Sequence, residues 1–377
     1  MKLAFCLNKY FPFGGLQADF LAIARLCWQR GHEVVVYTLA WQGEMPEGLE
    51  VHLIPVRALT NHGKNMEFAR QIQPLLQAGG FDGVIGFMKI PSLDIYYAAD
   101  TCFQTKAQQD HGWLYRLSPR YRNLVALEKA VFDPASHTQI LMLVETEIAP
   151  YIACYHTPRE RFHLLPPGTQ RECMAPANAA EIRAALRREF AIATDDKLLL
   201  MVGSDFKRKG LDRILTALAT LPPRWREKTW LLVLGQAKAG PFQRLARRLG
   251  VSERVRFMAG RHDVSRFLLG ADLLLHPAYT EMAGNVLLEA IIAGLPVLTT
   301  ANCGYAFHVE RAKAGRVVPV PFVQERFNAS LLEMLESPDW AAWSQNGITY
   351  GRTEDLYSRP EAMLELITSL LQQRPRS

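Results

Sequence analysis

Several things are missing from this 377-residue chain, and each absence removes a class of protein. No run approaches the roughly 18 to 20 apolar residues that a membrane-spanning helix needs. The apolar stretch Leu3–Leu7 is too short for a signal-peptide core and ends at Asn8-Lys9, so a cytoplasmic protein is expected. The six cysteines, at positions 6, 27, 102, 154, 173 and 303, include no Cys-x-x-Cys pair. A zinc site or disulfide framework is therefore not expected, and a reducing compartment fits. His32, His62, His111, His163 and His276 show no ligand-like spacing and read as structural, with His62 the exception to watch. The dinucleotide fingerprint G-x-G-x-x-G is absent, as is any Asp-x-Asp metal motif. The formal charge of +6 is mild for this length. It suits an acidic ligand or an anionic surface and argues little for nucleic acid.

What is present is an almost unbroken alternation of strand-like and helical segments. Leu3–Leu7 precedes a helix from Leu16 to Arg30, and Gly31-His32 breaks into a strand over 33–38. Val51–Val56, Gly83–Phe87, Ile95–Ala99 and Gln139–Val144 read as further buried strands. The rhythm pauses at Leu164-Leu-Pro-Pro-Gly168, where proline forbids helix, and a polar stretch follows to Asn178. A second series then runs through strands at 198–202, 229–235, 255–258, 271–276 and 296–300, with helices at 210–221, 240–250 and 284–294. The expected fold is α/β, with two doubly wound parallel-sheet domains facing across a cleft. The expected boundaries are 1–165 for the first domain and 166–357 for the second, with a helix in 358–377 crossing back to the first. Ligands of open parallel sheets sit at the carboxyl ends of strands.

Three segments offer chemistry. In "FPFGGLQADF", Gly14-Gly15 stands between a strand and a helix, where backbone must approach something closely. In "VGSDFKRKGL", Lys207, Arg208 and Lys209 gather between a strand and a helix start, a good anion site. A solvated basic loop reads equally well there. In "AYTEMAGNVLLEAIIAGLP", Glu281 and Glu289 bracket Gly284 at the start of an apolar helix, with flexible residues where main-chain N–H groups could touch a ligand. Helix capping by Glu281 and a structural ion pair for Glu289 form the alternative.

Taken together, Glu281-x7-Glu289, Gly203…Lys209-Gly210 and Gly14-Gly15 resemble glycosyltransferase family 4, whose members have the GT-B fold and retain anomeric configuration. "KYFPFGGLQ", "TNHGKN", "LDIYYAAD", "FHLLPPG", "GLPVLTTANCGYA" and "DLYS" extend the resemblance, over essentially the whole chain, to the lipopolysaccharide core glucosyltransferases. That resemblance implies transfer of a hexose, glucose favoured, from a UDP-sugar to heptose of a lipid-linked inner core. Galactose, N-acetylgalactosamine or another glycan or lipid acceptor is the alternative within this chemistry; a UDP-sugar epimerase of GT-B type is the alternative outside it. By the same resemblance, Gly14 and Gly15 approach the donor, while Arg208 and Lys209 hold its diphosphate. Glu281 grips the sugar with the backbone around Ala283, Gly284 and Asn285, and Glu289 takes the ribose. Ser204 and Arg261 lie near the nucleotide. Asp19 and Asp100 are acidic candidates near the reacting centre, though each could equally be a helix or loop carboxylate. No cofactor or metal is expected: with no Asp-x-Asp, paired cations stabilise the leaving phosphate instead.

Two departures touch the pocket. Relatives carry an arginine where this chain has Cys173, with Arg171 close by as a substitute, and Met88 stands where asparagine is expected. Finally, residues 102–132 alternate Lys106, Arg116, Arg120, Arg122 and Lys129 with Trp113, Leu114, Tyr115, Leu117 and Tyr121, opposed by Asp110 and Glu128 alone. This pattern fits the cytoplasmic face of an anionic inner membrane, or an ordinary helix with its aromatics in the core.

Overall fold

The computed structural model describes residues 1–373. They divide into two compact units: Met1–Pro167 together with the segment from Ser358, and Gly168–Tyr357.

The first unit carries seven strands: β1 (Lys2–Tyr10), β2 (Glu33–Trp41), β3 (Leu49–Leu53), β4 (Gly83–Gly86), β5 (Ile95–Ala98), β6 (Gln139–Met142) and β7 (Phe162–Leu164). They lie in the order β3-β2-β1-β4-β5-β6-β7, and every pairing is parallel. β1 is buried continuously from Leu3 to Leu7, as a parallel strand with both faces covered must be. It runs on past the apolar stretch because Lys9 and Tyr10 continue to pair with Ala40 and Trp41, whose ring stacks on Tyr10 at 4.0 Å. β7 is a short strand that sequence pattern did not separate from the Pro-Pro-Gly turn beside it. The helix Arg359–Gln372 packs on the helix Gly15–Gln29.

The second unit has six parallel strands: β8 (Lys197–Val202), β9 (Thr229–Leu234), β10 (Val255–Met258), β11 (Leu273–His276), β12 (Val297–Thr300) and β13 (Gly315–Val318). Their order is β10-β9-β8-β11-β12-β13. Leu199, Met201, Leu231 and Val233 meet Ile214, Phe206, Phe327 and Leu331 in its core. β13 lies at the sheet edge and is only partly buried, so "GRVV" gave no strong apolar signal.

Both sheets reverse their winding at one point, between β1 and β4 in the first unit and between β8 and β11 in the second. At such a point the loops leaving neighbouring strands diverge and open a crevice at their carboxyl ends. The loops bearing Gly14-Gly15, Arg208-Lys209 and Glu281 all leave one of these four strands.

One ionic contact ties the last helix to the first unit. Arg359, almost wholly buried, donates to the Pro166 carbonyl at 3.0 Å and to Asp19 Oδ2 at 3.3 Å. Tyr97 donates its hydroxyl proton to the same carboxylate oxygen at 2.7 Å. Arg359→Met keeps the buried stem but strips partners from a carboxylate and a carbonyl. It is expected to cost about 2–3 kcal/mol in urea unfolding, against no measurable loss for the exposed Lys228→Met.

Candidate active site

The loop after β8, Gly203–Gly210, and the loop after β11, Pro277–Gly284, are stitched together by main chain. Tyr279 N–H donates to the Arg208 carbonyl at 2.8 Å. Gly210 sits at φ +79°, and a Cβ there would lie 2.0 Å from the Pro277 carbonyl oxygen. Only glycine lets the loops approach this closely. A third segment clamps the second loop from the far side: Gly304 N–H donates to the Glu281 carbonyl at 3.1 Å and Tyr305 N–H to that of Ala283 at 2.8 Å. This gives "NCGYA" a structural reason.

The side chains converge on Glu281. Its Oε2 accepts from Arg208 Nη1 at 2.9 Å and from Lys209 Nζ. Both Glu281 and Lys209 are nearly buried. Burial alone would raise the Glu281 pKa, but Lys209, His276 and Arg208 outweigh it and hold the carboxyl well below the usual range. The first turn of the helix Asn285–Ile292 follows at once, with Gly284 at its N-cap and Asn285 Oδ1 buried without a hydrogen-bond partner. His276, the last residue of β11, is fully buried, and neither of its ring nitrogens has a partner. Helix-start N–H groups, two cations and unsatisfied buried polar atoms in one place are what an anionic, hydroxyl-rich ligand needs.

The other expected residues fall variously. Glu289 lies half-buried on the same helix; the thiol beside it is that of Cys173, whose pKa burial and then Glu289 push up. Arg171 instead lays its guanidinium 4.0 Å over the Tyr357 ring. Arg261 is held by both Asp263 oxygens at 2.7 and 2.9 Å. Ser204 is exposed at the loop's start.

In the first unit, Gly14 makes room for Gln17. A Cβ there would meet Gln17 Oε1 at 1.8 Å, and Gln17 turns back to donate to the Lys9 carbonyl at 2.9 Å. Gly15 is exposed as the first residue of its helix. Asp19 is engaged by Tyr97 and Arg359, as described above. Asp100 is exposed past β5, its carbonyl accepting from the Tyr151 hydroxyl at 2.7 Å.

Residues 102–132 form helices Phe103–Asp110 and Pro119–Phe132 around a short 3-10 turn, Trp113–Leu117. Trp113 is 71% exposed and Leu114 62%, and Arg116, Arg120 and Arg122 are also exposed; Lys106 is half-buried. Glu128 does not oppose these charges. It points inward, fully buried, and accepts from Lys89 Nζ at 2.5 Å, Tyr155 Oη at 2.7 Å and the amides of Phe103 and Gln104 at 3.0 Å. A buried carboxylate needs such a set, and here it caps the helix that begins at Phe103. Sequence reasoning did not single out Lys89 or Arg359, and it read His276 as structural. His276 had a findable signal, its place at the end of a strand beside the winding reversal.

Residues 182–350 match the family model described as glycosyl transferases group 1. The lipopolysaccharide glucosyltransferase WaaG of Escherichia coli K12 is 48% identical to this chain, over 98% of it and 99% of WaaG. The chain belongs to the group 1 glycosyl transferases. A crystal structure of WaaG, a glycosyltransferase involved in lipopolysaccharide biosynthesis, matches this glycosyltransferase with a TM-score of 0.94 and 47% identity, covering 97% of it and 99% of that chain. Its two parallel-sheet Rossmann-like units are those of the GT-B fold, as the sequence resemblance implied. Anabaena HepE, in complex with UDP and glucose, shares that fold with a TM-score of 0.76 at 18% identity, over 98% of this chain and 100% of its own.

The Gly210 contact carries a direct test. Gly210→Ala forces the two loops apart and is expected to lower sugar transfer by about tenfold or more, because Lys209 and Glu281 separate. Circular dichroism should show the fold retained.

Proposed function

We propose that this glycosyltransferase moves glucose from UDP-glucose onto heptose of a lipopolysaccharide inner core, with retention of configuration, while bound peripherally to an anionic membrane. The observation that carries the reading is the cation pair Arg208 and Lys209, set with Glu281 at the β8/β11 winding reversal beside a helix N-terminus. The whole-length similarity to WaaG supplies the choice of sugar and acceptor class.

Each residue then has a task. Glycosyl transfer passes through an oxocarbenium-like state while negative charge grows on the departing phosphate. Arg208 and Lys209 take that charge, which fixed cations in a partly dry site do strongly. Glu281, turned from them, accepts hydrogen bonds from the sugar hydroxyls, aided by the backbone at Ala283, Gly284 and Asn285. Glu289 accepts from the ribose hydroxyls. Ser204 and Arg171 border the nucleotide, and Arg261 joins them once released from Asp263. Gly14 and Gly15 present backbone to the donor. Asp100, exposed past β5, faces the acceptor; Asp19 holds its place through Tyr97 and Arg359. No metal or other cofactor is assigned a step.

The membrane role rests on the exposed Trp113, Leu114 and Leu117 beside Arg116, Arg120 and Arg122. Aromatic and aliphatic side chains enter the headgroup layer while each cation near an anionic surface adds about 1 kcal/mol. Lys106 adds to the same charge. No helix among the described residues is long and apolar enough to cross a membrane.

The deciding experiment is a donor screen with UDP-glucose, UDP-galactose and their N-acetyl forms against heptosylated core acceptor, read by mass spectrometry. A single hexose should be added, from UDP-glucose and equally in EDTA. Preference for another donor would overturn the sugar assignment, and sugar isomerisation in the acceptor-free arm would reveal an epimerase. Arg116→Gln, Arg120→Gln and Arg122→Gln together are expected to weaken cosedimentation with phosphatidylglycerol vesicles by about tenfold or more at low salt, with the difference closing as salt rises. Binding equal to the parent's would remove the surface assignment.

A further inference from the structure

Glu281 is held in a way that cannot survive the arrival of a donor. One carboxylate oxygen, Oε2, serves both Arg208 and Lys209. If those cations turn to a diphosphate, Glu281 loses its partners inside a pocket where its side chain is only 11% exposed. Water is a poor replacement there, and a buried carboxylate without partners either neutralises or moves. Neither outcome suits a group whose work is to accept hydrogen bonds from sugar hydroxyls.

The group within reach is His276. Its Nε2 lies 3.8 Å from the same Glu281 oxygen, outside hydrogen-bond range. The ring is fully buried, and neither nitrogen has a hydrogen-bond partner. Buried polar nitrogens are nearly always paired, so an imidazole with both unpaired marks a contact made in another state of the molecule. The backbone holds the ring in place, because the Thr299 hydroxyl donates to the His276 carbonyl at 2.9 Å. The other titratable groups near the ring are the Lys209 ammonium and the Cys303 thiol. Burial and the ammonium disfavour a positive ring, but the Cys303 thiol and the Glu281 carboxylate outweigh them and push the ring's pKa up. Whether neutral or protonated, a ring with its proton on Nε2 can donate to that carboxylate. A shift of about 1 Å would turn the 3.8 Å separation into a hydrogen bond.

We propose that His276 is a positioning residue for Glu281. When an anionic donor draws Arg208 and Lys209 away, the His276 ring donates Nε2–H to the Glu281 carboxylate, keeping it ionised and fixed. No proton changes owner and no bond breaks. The cations are thus released to the phosphate without leaving an unpaired charge behind. This rests on the reading of Arg208 and Lys209 as the diphosphate site.

The test uses the full chain with 15N-labelled histidine, titrated with UDP alone. The Nε2–H signal of His276, assigned by its loss in His276→Gln, should move downfield and become protected from solvent exchange. An unmoved signal at saturating UDP overturns the proposal. Turnover supplies a second measure. His276→Leu should bind UDP within about twofold of the parent yet lose about tenfold or more in kcat, with acceptor KM unchanged. His276→Gln, whose amide N–H can reach the same carboxylate, should recover most of that loss. Parental kcat in a folded His276→Leu protein overturns the proposal; if that variant does not fold, the spectrum of the unsubstituted protein still decides. Lys209→Ala separates the two claims. Undiminished UDP affinity there would refute the diphosphate site itself, and with it the relay. Weakened affinity with an unmoved His276 signal refutes the relay alone.

Discussion

The charged centre of the second unit is a pair of cations held by one carboxylate. Arg208 and Lys209 neutralise a nearly buried carboxylate, and that carboxylate in turn keeps two like charges close together in a crevice. Remove either side and the other becomes a desolvated, uncompensated charge. The surrounding backbone is built to enforce the meeting. The Gly210 backbone lies against Pro277, Tyr279 bonds the Arg208 carbonyl, and the 303–305 segment holds Glu281 from behind. The charge cluster is therefore fixed by the backbone contacts of its own loops.

The first unit shows the same principle used for structure. Glu128 gathers Lys89, Tyr155 and two helix amides, and so fixes the start of the helix that leads to the exposed Trp113 turn. Asp19 gathers Tyr97 and Arg359 and pins the C-terminal helix. A carboxylate shut away from water, wholly at Glu128 and partly at Asp19, tolerates few arrangements, so each of these pairs specifies geometry more than it adds stability. Asp19 thus has a structural task in plain view.

Much of the fold was legible in the sequence because parallel strands buried on both faces announce themselves as apolar runs. The runs at 198–202 and 255–258 emerged with almost unchanged limits. Short or half-exposed elements carried no such signal, and β7 and β13 were missed for that reason. Glu281, Arg208 and Lys209 were singled out through their order along the chain. Their mutual pairing was not, since neighbours across two loops leave no pattern in one-dimensional spacing.

Local sequence by itself determined the alternation of strands and helices and the loops where glycine and charge gather, and its ordered motifs carried the resemblance that implied the family. All of these follow from apolar periodicity, glycine placement and ordered motifs, which are properties of neighbours in sequence. Tertiary structure alone decided which charges face one another. It turned Glu128 inward to Lys89, gave Asp19 to Arg359, placed Cys173 rather than Arg171 beside Glu289, and left His276 buried and unpaired beneath Glu281. The physical reason is that the state of an ionisable side chain depends on burial and on partners within a few ångströms, and folding brings those partners from distant parts of the chain.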